Sequence, residues 1–195
     1  MTQLLDNNFV NRAADLTMLS DIQTLRARAR QDIEEGAVTA GYAADREVVI
    51  KLLNEALATE LVCVLRYKRH YFMAKGINSE SVKAEFLEHA KEEMAHADQL
   101  AKRITELGGE PDFSPDGLSQ RSHAEYIAGE TLNEMIKEDL IAERIAIESY
   151  REMIAYLADN DSTTQKLLKE ILAVEEEHAE DLASILGNLN QTYPI

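Results

Sequence analysis

The sequence predicts an all-α protein: an antiparallel four-helix bundle with one long crossover, preceded by a helical N-terminal extension. Three observations carry this. Only three prolines and eight glycines punctuate 195 residues, which leaves room for long uninterrupted helices. Apolar residues recur at helical spacing along four long segments. One pattern also occurs twice. Glu60 is followed 33 residues later by Glu93-x-x-His96, and Glu143 is followed 32 residues later by Glu175-x-x-His178. A lone carboxylate, then a carboxylate and an imidazole one helical turn apart, is half the ligand set of a dinuclear metal site in a helical bundle.

The elements follow in order. Residues 1–14 read as an irregular, Asn-rich arm, and Thr17 to about Glu35 as a short polar helix with Arg26, Arg28 and Arg30, closed by Gly36. The first long helix covers roughly 45–75, ended by Gly76. Ser79 is a candidate N-cap for a second helix reaching Leu107, with Gly108-Gly109 as its stop signal. Residues 110–122, EPDFSPDGLSQRS, are too polar and broken for core and read as a surface crossover. Thr131 and Glu134 match a capping box for a third helix reaching about Ala158, with an earlier turn from His123 as a variant. Ser162 is a candidate cap for the fourth helix, which continues to about Leu189. At about 1.5 Å per residue the long helices span roughly 40–45 Å. Short loops make helices one and two, and three and four, antiparallel. The long connection allows the two pairs to be parallel where they meet. The domain division expected is 1–42 arm, 43–190 bundle and 191–195 tail.

Bulk properties exclude several classes. The 20 basic against 36 acidic residues give a formal charge of −16, which argues against nucleic acid as a partner, since cations meeting phosphates dominate such binding. Cys63 is the sole cysteine, so an internal disulfide and Cys-based zinc or iron sites within one chain are excluded. No basic start followed by an apolar run marks a secretory signal, and no run of about 18 apolar residues marks a membrane span. A cytoplasmic location is the expectation.

The six motif residues interrupt core-facing stripes. Ala56, Cys63, Val64 and Tyr67 flank Glu60. Phe86, Ala90, Leu100 and Ile104 flank Glu93. Ile136, Leu140, Ala146, Ile147 and Tyr150 flank Glu143, and Leu168, Ile171, Leu172 and Leu182 flank Glu175. An unpaired buried carboxylate costs several kcal/mol, and four together add mutual repulsion. Two divalent cations neutralise four carboxylates, with His96 and His178 as neutral nitrogen donors. Such oxygen-rich ligation suits two iron ions per subunit, or manganese in their place.

At these residues the chain resembles bacterioferritin, within the ferritin-like superfamily, over about residues 46–186. The resemblance is carried by Glu60-Leu-Val with Tyr67, Glu93-Met-Ala-His96-Ala-Asp98, Asp139-Leu-Ile-Ala-Glu143 and Glu175-Glu-Glu-His178. It implies a ferritin-like bundle in which Glu60 and Glu143 are terminal ligands, Glu93 and Glu175 bridge, and His96 and His178 each cap one iron. It implies ferroxidase activity: Fe(II) oxidised by O2 or H2O2 and ferric mineral stored in a hollow shell. Tyr67 and Asp139 match positions that support the ligands, and Asp139, one turn before Glu143, is placed to fix a histidine tautomer. The same six ligands would also serve a manganese catalase or another dinuclear oxidase, or a non-catalytic shell protein with structural metal.

Departures from the family pattern matter too. About 42 residues precede the first bundle helix and only 17 follow His178, too few for the family's fifth helix. This favours a Dps-like homo-oligomeric dodecamer over a 24-mer. Met94 aligns with the family's haem-binding methionine, but packing is the favoured role over haem b. Cys63 reads as a small buried hydrophobe. Glu88, His89 and Glu92, like Glu176 and Glu177, read equally as iron-handling positions or as a solvated acidic face. The Arg26/Arg28/Arg30 run is expected to pair with acids on a neighbouring copy.

Overall fold

The computed structural model describes residues 20–76 and 79–192, with side chains to 189. The chain divides into a first unit ending at Gly41 and a second beginning at Tyr42. In the first, α1 (Ile22–Arg28) starts at Asp21, whose carboxylate accepts from the Gln23 and Thr24 amides. A single 3-10 turn covers Ile33–Glu35, after Asp32 takes up a left-handed φ of 44°. The polar helix expected over 17–35 is therefore two short pieces, and its first residues, 17–19, lie outside the described ones. Neither piece buries a side chain. Without a packed face, a long helix has little besides its cap to hold it.

The second unit is a four-helix bundle of α2 (Arg46–Met73), α3 (Ser79–Glu106), α5 (Leu132–Leu157) and α6 (Ser162–Thr192), with the one-turn helix α4 (Leu118–Arg121) in the crossover. The four long helices lie within a few residues of the expected bounds. Their starts follow local chemistry. Asp45 caps α2 through the Val48 amide. Thr131 and Glu134 form the full capping box at α5. Thr131→Ala should cost about 1 kcal/mol of stability, read from chemical denaturation midpoints. The two serines expected as caps are not. Ser162 is the first residue inside α6, and Asp161 before it accepts from the Thr164 amide and hydroxyl. Ser79 also lies inside its helix and donates to the Gly76 carbonyl.

α2 packs chiefly on α3, and α5 on α6. Cys63, Tyr67, Phe86, Ala90, Ile136, Ala142 and Leu182 belong to the buried cluster between them. Where the pairs meet they are antiparallel, not parallel as the sequence had allowed. Tyr67 reaches Glu143 while Tyr150 reaches Glu60, and Arg103 reaches Thr164 while His178 reaches Glu92. The cause is the path of the crossover. It runs along the length of α2: Asn54 holds Glu110 and Asp112, Thr59 accepts from the His123 amide, and Arg66 and Arg69 donate to the Glu125 and Ala128 carbonyls. The chain thus re-enters the bundle beside the end of α2. No helix forms between His123 and Thr131, because the carbonyls there are taken by α2 side chains. The crossover can leave α3 closely because residue 109 is glycine: a Cβ there would sit 2.8 Å from Ile50 Cγ2.

One buried network ties this path together. Arg66 Nε and His70 Nδ1 both contact the Asp139 carboxylate at 2.7 Å, and His70 Nε2 lies 2.9 Å from the Ala128 carbonyl. Asp139 therefore holds His70 and Arg66 rather than either motif histidine. It supports the crossover, not the site directly, and it is fully buried.

A candidate dinuclear metal site

All six motif side chains meet in the middle of the bundle. Glu60 comes from α2, Glu93 and His96 from α3, Glu143 from α5, and Glu175 and His178 from α6, and none is more than 4% exposed. They form two overlapping groups whose donor atoms lie within 4.8 Å of one another: Glu60, Glu93, His96 and Glu175 in one, and Glu93, Glu143, Glu175 and His178 in the other. Glu93 and Glu175 belong to both. Each turns one oxygen to each half. Glu93 Oε2 is 3.4 Å from His96 Nδ1 and its Oε1 3.5 Å from His178 Nδ1. Glu175 Oε1 and Oε2 stand 2.9 and 3.9 Å from the same two nitrogens.

The donor set fits a pair of cations. Glu60 Oε2, both oxygens of Glu93 and of Glu175, Glu143 Oε2, His96 Nδ1 and His178 Nδ1 are buried without a hydrogen-bond partner. Native interiors rarely leave such atoms unmatched, and here they all face one another. Burial pushes Glu60 and Glu175 well above the ordinary carboxylate range, and the neighbouring acids push them further. Against burial, the neighbouring Glu60, His178 and His96 hold Glu93 low. Burial opposes charge on the histidines too, yet the carboxylates win and raise His96 to about 10 and His178 to about 11. The metal-free centre thus keeps protons where cations would go.

Tyrosines fix the unshared acids. Tyr67 donates to Glu143 Oε1 and Tyr150 to Glu60 Oε1, so each leaves Oε2 of its glutamate free to face the centre. Tyr67 was expected in this role; Tyr150 was visible only as a member of the apolar stripe. Removing either hydroxyl loosens one carboxylate, and Tyr150→Phe should weaken metal affinity about tenfold, as measured by competition with a chromophoric chelator.

Other residues differ from expectation. His89 is not solvated: it is buried, stacks on His178 with ring centroids 3.9 Å apart, and lies 3.2 Å from the Tyr67 hydroxyl through Nδ1. Glu92 Oε2 lies 2.8 Å from His178 Nε2 and orients that ring. Glu88 pairs with Lys91 on the surface and Glu176 with Arg151, and Glu177 is exposed as well. Met94 is 39% exposed, and one residue on from Glu93 it turns to another face of α3. Cys63 is buried as expected, beside Arg66 Nη2 at 3.5 Å, and burial raises its thiol. In the first unit Arg28 contacts Ser20 and Arg30 the Arg26 carbonyl.

Fold and site together define a helical bundle with a carboxylate–histidine centre at mid-height. The ferritin-like domain model matches residues 50–192, and the chain belongs to that family. Among curated proteins it is similar to bacterioferritin from Desulfovibrio desulfuricans, 37% identical over 79 residues, 40% of this chain and 44% of that one. It is also similar to bacterioferritin BfrA from Mycobacterium tuberculosis, 30% identical over 92 residues, 47% of this chain and 54% of that one. The chain thus spans about half the length of the curated relatives it matches. Among solved structures it resembles the bacterioferritin-related protein of Bacteroides fragilis, described as a dodecameric thioferritin, with a TM-score of 0.74 and 32% identity over 77% of this chain and 90% of that one. Dps from Staphylococcus aureus, at a TM-score of 0.70 and 22% identity over 74% and 98%, shares the fold. Among the described residues no helix is long and apolar enough to cross a membrane.

Proposed function

We propose that the protein oxidises Fe(II) at the six-residue centre and sequesters the ferric product within a homo-oligomeric shell. One observation carries this reading: two four-residue donor groups, buried and unmatched, share Glu93 and Glu175. Glu60 with His96, and Glu143 with His178, complete the two ends. Four carboxylates offset the charge of two Fe(II) ions, and one imidazole per ion adds a neutral donor. Each Fe(II) gives up one electron. Two electrons and two protons convert O2 to H2O2, or H2O2 to two waters.

The residues do the rest by position. Tyr67 and Tyr150 hold the terminal glutamates, and Glu92 and His89 hold His178 in place. The oily stripes around them keep bulk water from competing with the donors. The oligomer proposed is a dodecamer, supported by the likeness to the Bacteroides fragilis protein over most of that chain. Met94 is the residue that would meet a haem at a contact between copies; no other observation favours haem.

Adding Fe(II) anaerobically and then O2 should oxidise two irons per subunit in a fast phase, followed by slow uptake of many more. Steady O2 evolution from peroxide without iron loading would identify a manganese catalase instead. Oxygen consumption no faster than in protein-free buffer would leave only structural metal.

A further inference from the structure

Away from the metal centre, the bundle carries an apolar groove of about 440 Å³ along the seam between α2 and α5. Val48 and Leu52 line it from α2, and Met153 and Tyr156 from α5, with Glu148 and Glu152 among them. Glu148, Glu152 and Tyr156 follow one another at one-turn spacing, so the groove runs for two turns, about 12 Å. Tyr156 is 48% exposed, and both acids are exposed as well. Glu148 pairs with Arg151 at 3.0 Å, whereas Glu152 has no ion pair among the described residues. The groove is thus greasy along its length and negative at its rim.

α1 presents the complementary surface. Ile22, Leu25 and Ala29, its C-cap, share one face, at the spacing with which a short helix enters a groove. Each residue turns by about 100°, so Arg26 and Arg28 flank that stripe on opposite sides. Arg28 meets the Ser20 hydroxyl and Arg30 the Arg26 carbonyl, and neither contact neutralises a guanidinium. Ile22 is 63% exposed and Leu25 45%. At seven residues the helix is about 10 Å long, which matches the groove.

We propose that α1 of one copy docks in the α2–α5 groove of a second copy. Its apolar stripe meets Leu52, Met153 and Tyr156, and Arg26 and Arg28 meet Glu148 and Glu152. Three apolar anchors are too few to hold two free molecules together. Within an assembly the arm is tethered near the groove, at an effective concentration on the order of millimolar, so weak contacts suffice. Docking also gives a helix that only a cap maintains the packed face it lacks. The inference rests on the homo-oligomer proposed above and on nothing in the metal chemistry.

The test is photo-crosslinking of the full-length protein carrying Gln23→Cys, labelled with a benzophenone maleimide. Position 23 lies beside the stripe and spares its anchors, and Cys63 is buried and so stays unlabelled. Irradiation should give covalent dimers on denaturing gels, with the linked peptides mapping to α5 around 148–156 or to α2 around 48–52. Glu148→Arg/Glu152→Arg should lower the dimer yield about tenfold, the effect of turning two exposed attractions into repulsions. Adding Arg26→Glu/Arg28→Glu should restore it. Links confined to single chains, links elsewhere on the bundle, or a yield indifferent to the charge reversals would each overturn the docking. If the solution mass of the same sample is still that of a homo-oligomer, any of these leaves the shell standing. A monomeric mass overturns both. The metal centre is tested separately by the fast oxidation phase.

Discussion

Glu93→Gln should abolish the fast oxidation phase for both irons, slowing it about a hundredfold or more, whereas Glu60→Gln or Glu143→Gln should damage one end only. The asymmetry follows from geometry. Both Glu93 oxygens are buried and unmatched, and they face different histidines. An amide keeps the shape but replaces one anionic oxygen by a donor nitrogen, and it removes a charge that the two cations share. Stopped-flow absorbance after mixing oxygen with anaerobically loaded protein reads the fast phase directly. A linked outcome concerns protons. His96 and His178 hold theirs up to about 10 and 11 while the centre is metal-free. The metal-free form therefore binds more protons at pH 7 than the loaded form. Loading should expel at least one per histidine, and metal affinity should fall as pH falls. Glu93→Gln should reduce both the release and the pH dependence, measured in weakly buffered solution with an indicator.

Asp139→Ala should destabilise the fold by about 3–5 kcal/mol, because it leaves a buried guanidinium and a buried imidazole without their shared carboxylate. Arg66 is 1% exposed and His70 0%, so neither can turn to water. At this chain length that is a fall in melting temperature of roughly 10 °C or more. The replacement pair Arg66→Met/Asp139→Leu should cost less than Asp139→Ala alone, since it removes the stranded charge together with its partner. Both variants should still take up metal at temperatures where they are folded, because this network supports the crossover and none of the six donors bonds to it. Thermal denaturation of the metal-free forms, with metal content measured separately, separates these effects.

What the sequence disclosed, and what it hid, follows from whether the signal was local. The six donors were legible because each acid breaks a stripe with apolar neighbours three, four and seven residues away, and because the break recurs. The Thr131–Glu134 box was legible because both partners lie within one turn. Ser162 misled for the same local reason: Asp161, one residue earlier, offers a better acceptor to the same amides. Tyr150 with Glu60, Arg66 with Asp139 and His89 with His178 were hidden. They join residues 73 to 90 positions apart, and periodicity says which face a residue occupies but not which residue of another helix it meets. The pair orientation was misjudged because the length of a crossover does not give its direction. Among the described residues of the segment expected as a helix over 17–35, the α-helix covers Ile22–Arg28, where a cap alone maintains it.

The most direct test of the central claim is anomalous scattering at the iron edge from crystals loaded anaerobically with Fe(II). The account predicts two iron positions inside each subunit, about 3.5–4 Å apart, with Glu93 and Glu175 lying between them and His96 and His178 at opposite ends. Iron found only on surface acids, with the six side chains closed on one another and no peak among them, would contradict it.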